Sequence, residues 1–197
     1  MRHATHTLRS ALQAASGFLL LFALVGSTTT ATAQSISLPI TFEESINYGL
    51  RDFEPGGVDG PTSTIIVDPT DATNMVVQTV RPATAVCYAG TTVAEGIGFD
   101  QAIPFTMDAT TMSVRVWSPE AGARVLFKVE EQGNPGLFVE TFTYTTVAGG
   151  WETMVFDFAD PKPNGAPIQI GGNYNKATIF FDFQCDNVPP TPLPAAD

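Results

Sequence analysis

Apolar and polar residues alternate with period two along most of this chain. In "MSVRVWSPEAGARVLFKVE", residues 112 to 130, Met112, Val114 and Val116 share a face with Val125, Phe127 and Val129. A period of two places successive side chains on opposite faces of a strand, so the stretch predicts two strands about a turn. The same pattern marks strands at 38–42, 48–53, 64–67, 75–80, 86–89, 97–99, 112–117, 124–130, 138–145, 152–158 and 176–183. Between them lie the breakers "EPGGVDGP", "DPTDATN", "SPEAGA", "EQGNPG", "TVAGG" and "DPKPNGAP". After the first 33 residues no window of helical length carries a 3.6-residue apolar period. Short strands at this spacing predict an all-β fold, a two-sheet antiparallel β-sandwich (jelly roll) over 34–187. The segment "VPPTPLPAAD" at the end, 188–197, is Pro-rich and predicts an extended, disordered tail.

The other face of 112–130 carries Ser113, Arg115, Trp117, Arg124, Leu126, Lys128 and Glu130. If Ser118–Ala123 forms a hairpin loop, Trp117 pairs with Arg124, Arg115 with Leu126 and Ser113 with Lys128. Val116 then pairs with Val125 and Val114 with Phe127, so both faces are consistent. Trp117 would stack on the Arg124 guanidinium, worth about 0.5–1 kcal/mol at an exposed site. Sugars present apolar C–H faces and hydroxyl rims, which an exposed aromatic ring flanked by charged hydrogen-bonding groups suits. Trp117, Arg115, Arg124, Lys128 and Glu130 are therefore the candidate carbohydrate-binding residues; the plainer alternative is a Trp117 covered by a loop or the N-terminal segment. Trp151 follows a Gly-Gly turn and opens a strand, as an edge plug or as a second platform.

The first 33 residues change the charge. Arg2 and Arg9 precede an apolar run from Gly17 to Gly26 and an Ala31-Thr32-Ala33 cleavage site, the pattern of a secretory signal peptide. Its apolar run is too short to span a bilayer, and nothing later is long enough, so no membrane span is expected. A secreted chain, extracellular or periplasmic, would begin at Gln34. The whole chain carries a net charge of −11; without Arg2 and Arg9, seven Lys and Arg face all twenty Asp and Glu, a net charge of −13. Such a chain does not bind nucleic acid by neutralising phosphates. Both histidines, His3 and His6, lie in the signal. Their loss excludes Ser-His-Asp and Cys-His catalysis and His-ligated zinc or copper. Two cysteines remain, Cys87 and Cys185; an oxidising destination favours a disulfide between them, with two separate buried thiols as the alternative.

Carboxylates are abundant, so glycoside hydrolysis is the enzymatic reading to test. It needs two carboxyl groups about 5 Å apart or a wider pair enclosing a water. Glu43-Glu44 and Glu130-Glu131 are adjacent in sequence and on a strand point to opposite faces. Asp157 and Asp182 sit among aromatics on different strands and could approach each other, although loop capping or calcium binding is the commoner role. No P-loop, G-x-G-x-x-G, H-E-x-x-H or EF-hand pattern occurs. The reading is non-catalytic.

The order "LPITFEE", "VVDPTDATNMVVQTV", "TMSVRVWSPEAGARVLFKVEE", "AGGWETMVFDF", "YNKATIFFDF" resembles carbohydrate-binding-module-like jelly-roll domains of secreted bacterial polysaccharide-degrading proteins, of the laminarinase-associated type. The resemblance runs from about Leu38 to Asp186. It rests on Phe42-Glu43, the "V-x-S-P…V-x-x-K-x-E" stretch and the "G-W-E…F-D-F" strand, none of them a catalytic signature. It implies a two-sheet sandwich with a glycan-binding face and a structural calcium ion near the chain ends, here at Glu43 and Asp182. A hard cation there would offset carboxylate repulsion. Such domains end on a further strand after the one matching "FFDF". Here "QCDNVPPTPLPAAD" follows, which leaves the calcium site incomplete and a sheet edge open to association with another chain. The function expected is polysaccharide binding, with a β-glucan as the type ligand. The alternatives are a surface or matrix structural (adhesion) sandwich without a sugar site and a small glycoside hydrolase.

Overall fold

The computed structural model describes residues 35–53 and 60–185, so the expected signal peptide and Pro-rich tail lie outside the described residues. Nine strands are present among them: β1 (Arg51–Phe53), β2 (Thr62–Asp68), β3 (Asp71–Val80), β4 (Gly90–Val93), β5 (Thr111–Ser118), β6 (Arg124–Glu131), β7 (Asn134–Tyr144), β8 (Gly150–Asp157) and β9 (Lys176–Phe181). All pairings are antiparallel. Five strands form one sheet in the order β1-β4-β9-β6-β7, while β2 pairs β3 and β5 pairs β8. No helix among the described residues is long and apolar enough to cross a membrane.

The layers follow from the alternation. Val125, Phe127 and Val129 of β6, Val139 of β7 and Ala177 of β9 point from the five-stranded sheet into one core. Val116 of β5 and Met154 and Phe156 of β8 meet them from the facing layer. Phe127 and Phe156 stack across the interface with ring centroids 5.1 Å apart. Ile65 of β2 joins the same core, and the Ser63 hydroxyl bonds that of Thr91 at 2.8 Å, so β2 and β3 cover the β1–β4 end of the sheet. The fold is an all-β antiparallel sandwich. Each fully buried Phe or Val contributes about 1.5–3 kcal/mol of transfer free energy.

The turn at 118–123 departs from the hairpin expectation. β5 pairs β8, with Trp117 opposite Trp151, and β6 pairs β7, with Arg124 opposite Tyr144. "SPEAGA" does not turn within a sheet but carries the chain across the roughly 10 Å between facing layers. It is pinned by bonds from the Gly149 N–H to the Ser118 carbonyl (2.7 Å), the Gly122 N–H to the Thr145 carbonyl (2.7 Å) and the Thr145 hydroxyl to the Glu120 carbonyl (2.9 Å). Three expected strands are also absent. At 38–42, Pro39 lacks an N–H and Phe42 has φ 64°, so no ladder extends through it. The 86–89 segment closes a turn through the Ala89 N–H and the Val86 carbonyl (3.0 Å). At 97–99, Gly96 and Gly98 adopt positive φ and the chain turns back on the Ala94 carbonyl.

Cys87 and Cys185 form a disulfide with Cα atoms 4.9 Å apart. It ties the segment after β9 to the loop before β4. A satellite cluster of Leu126, Phe180 and Phe183, with Phe142 and Cys185 against it, packs under that segment on the outer side of the five-stranded sheet.

Candidate functional site

The outward residues of β5 and β8 form the first candidate surface. Their register sets Trp117 beside Trp151, Arg115 beside Thr153 and Ser113 beside Val155. Trp117 is 45 % exposed and Val155 57 %. The Arg115 guanidinium lies 4.7 Å from the centre of the Trp151 ring, and the Trp151 indole N–H donates to the Thr70 hydroxyl at 2.8 Å. Thr70 is fixed in turn by Asp68, a buried carboxylate that accepts the Thr70 N–H (2.8 Å), the Thr70 hydroxyl (2.7 Å) and the Asn74 side-chain amide (3.0 Å). Burial pushes the Asp68 carboxyl up, but these bonds and the Arg115 charge outweigh it and hold it below the ordinary aspartate value. One tryptophan is thus locked by a ring-stacked cation and a hydrogen bond, and its neighbour stands open to solvent.

Arg124, Lys128 and Glu130 are not on this surface. They alternate with the core residues of β6 and so emerge on the outer side of the five-stranded sheet, across the sandwich from Trp117 and Arg115. Arg124 is buried: its Nε–H donates to the Phe183 carbonyl at 2.7 Å, and its guanidinium lies 5.3 Å from the Phe142 ring and 5.4 Å from the Phe183 ring. The expected stack of Trp117 on Arg124 is therefore replaced by Arg115 on Trp151. Arg124 instead clamps the disulfide-tethered segment to the sheet.

Lys128 and Glu130 do meet other polar groups. They line a cleft of about 310 Å³ with Thr178 and Phe180 of β9, Thr92 of β4, Arg51 of β1 and Glu95. Glu130 is bonded to Lys128 at 2.7 Å and Lys176 at 3.0 Å, and Lys176 also reaches Glu95 at 3.1 Å. Arg51 stands 3.6 Å from Glu95. The Thr92 and Thr178 hydroxyls share a bond of 2.9 Å. Burial raises the Glu130 carboxyl, yet the two lysines outweigh it and set it below the usual glutamate value. Burial lowers Lys176, and its bonds to Glu130 and Glu95 raise it above the usual lysine value.

Two carboxylates meet at this cleft. Because Glu95 and Glu130 both accept from Lys176, their contacting oxygens lie within about 6 Å of each other, a separation compatible with glycosidase carboxylates. A general acid needs a raised pKa, and Glu130, held below its usual value, suits the nucleophile or base of such a pair and not its acid. Asp157 and Asp182 do not approach each other. Asp157 accepts from Thr110 and the Ala159 N–H on the β5–β8 layer, whereas Asp182 faces Arg81 (3.6 Å) beyond β9.

Glu43 and Asp182 are also apart. Glu43 accepts the Met75 N–H at 2.8 Å and Asp182 faces Arg81, two points of the chain separated by roughly 20 Å of extended β3. No group of three or more His, Cys, Asp or Glu converges among the described residues. The residues that sequence reasoning missed, Arg51, Thr92, Glu95, Lys176 and Thr178, come from segments with no shared motif; only the strand order β1-β4-β9-β6 assembles them. Trp151 was visible as a candidate platform but not as the partner of Trp117. No family model, curated protein or solved structure matches the chain.

Proposed function

We propose that this chain is an exported, non-catalytic β-sandwich that binds a polysaccharide such as a β-glucan by packing pyranose rings on the outer face of β5 and β8. The observation that carries it is the direct cross-strand pair of Trp117 and Trp151, with Trp117 45 % exposed. Opposed residues in an antiparallel pair sit about 5 Å apart, so the open Trp117 ring is offered to a sugar face beside the Arg115-stacked Trp151, which borders it. Holding Trp151 in place before the ligand arrives spares ordering entropy on binding. Arg115, Thr153 and Ser113 along the same face supply hydroxyl partners. The disulfide accords with an oxidising, exported setting, as does the A-x-A site after the short apolar run.

Co-sedimentation with insoluble β-glucan tests this. The parent protein is expected in the pellet, and Trp117→Ala and Trp151→Ala in the supernatant. A folded parent that stays in solution with every insoluble glycan offered would favour the matrix-domain alternative. Release of reducing sugar would favour the hydrolase.

A further inference from the structure

The cleft on the five-stranded sheet lies on the opposite side of the sandwich from the tryptophan pair. Among the described residues Arg51 and Lys128 line it together with Glu95 and Glu130, and Lys176 stands beside it, ion-paired to both carboxylates. These cations are gathered on one face of a chain whose net charge is −11. On the β7 side Glu140 is paired with Lys162 at 3.2 Å and adds no net charge.

The cations differ in how tightly they are held. Lys176 is locked between Glu95 and Glu130, and Lys128 lies on Glu130 with its ammonium 4.9 Å from the Phe138 ring. Arg51 is looser. Its side chain is 65 % exposed and its 3.6 Å contact with Glu95 is longer than a hydrogen bond. A guanidinium in this state can turn its planar fork to an incoming carboxylate without breaking a strong bond. At the floor, the Thr92–Thr178 bond uses one of the two hydroxyl hydrogens, which leaves the other to donate to a ligand hydroxyl. Phe180 closes the apolar end, its ring seated against Gly90, where an added Cβ would come within 2.5 Å of it. A cation, a hydroxyl pair and an aromatic edge match three features of one molecule: carboxylate, hydroxyls and an apolar ring face. The volume of about 310 Å³ sits at the small end of ligand sites.

The geometry points to a second binding site here, independent of the tryptophan face, that takes a carboxylate-bearing sugar unit of an acidic glycan: Arg51 receives the carboxylate and Thr92 and Thr178 the ring hydroxyls.

Titrating the ¹⁵N-labelled protein with trigalacturonate, and in parallel with cellotriose, decides this by NMR. Trigalacturonate is expected to shift the amides of Thr92, Lys128 and Thr178, and Arg51→Ala to weaken it about ten-fold. Cellotriose should leave those amides unmoved. Trp117→Ala should retain the trigalacturonate response in full, which separates this site from the glycan shelf: either can fail without the other. The proposal is overturned if trigalacturonate shifts none of these amides at millimolar concentration, or if cellotriose shifts them equally. It is also overturned if sodium acetate reproduces the shifts at matched concentration, since the sugar ring would then go unrecognised, or if Arg51→Ala, folded by circular dichroism, binds as the parent does.

Discussion

Replacing both Cys87 and Cys185 by Ala separates two kinds of stabilisation in this sandwich. The bridge spans 98 residues of sequence and encloses β4 to β9. In the loop-entropy account, a cross-link closing such a span removes about 4.7 kcal/mol of freedom from the unfolded chain. On the native side, the two sulfurs contribute only their packing, Cys185 against the Leu126–Phe180–Phe183 cluster, about 1 kcal/mol. The unfolded-state effect therefore dominates, and the variant should lose about 4–6 kcal/mol. For a domain of this size that corresponds to a fall in Tm of about 10–20 °C. Urea titration distinguishes the causes. Losing the bridge lets the unfolded chain expand, so Cm should fall while m rises. Phe183→Ala, which empties part of the same cluster, should lower Cm by about 3 kcal/mol equivalent with m unchanged. The reasoning is refuted if the double variant, or the parent in reductant, unfolds at the Cm of the oxidised parent. Two free thiols in the denatured, unreduced parent would refute the bridge itself.

Trp117→Ala should cut glycan affinity about ten- to a hundred-fold, because the exposed 45 % of the ring offers on the order of 100 Å² to a sugar, while Tm stays within a few degrees. Trp151→Ala should cost about 1–2 kcal/mol of stability as well, since it strands the Thr70–Asp68 arrangement and the Arg115 stack, read by urea titration. Glu130 has a folded pKa below its unfolded 4.5, so the stability it contributes is present above pH 4.5 and lost as pH falls through the folded value; Glu130→Gln should flatten that acid limb in a pH series of melts. Lys176 has the opposite sign: its contribution holds below pH 10.5 and fades as pH rises through the higher folded value, a decline that Lys176→Met should remove. Gly90→Ala should destabilise by about 1–3 kcal/mol by pushing the Phe180 ring out of its seat, and the same change should weaken trigalacturonate binding.

Period-two alternation determined a great deal by itself. It identified β2, β3 and β5 to β9 to within a few residues, and it sorted Val116, Val125, Phe127 and Val129 inward because a half-buried strand has only one apolar face. Cysteine count and the apparent export signal made a Cys87–Cys185 bridge the favoured pairing. What alternation could not decide is which strand pairs with which. Two strands joined by "SPEAGA" show the same inward and outward residues whether they lie side by side in one sheet or face to face across a core. Backbone hydrogen bonding is indifferent to side-chain identity, so the choice belongs to the packing of all nine strands. That choice moved Arg124, Lys128 and Glu130 to the far side from Trp117 and set Trp151 beside it instead. The same holds for the charged cleft: Arg51, Glu95, Glu130 and Lys176 are scattered along the chain, and they converge because β9 inserts between β4 and β6, a neighbourhood that only the closed sandwich creates.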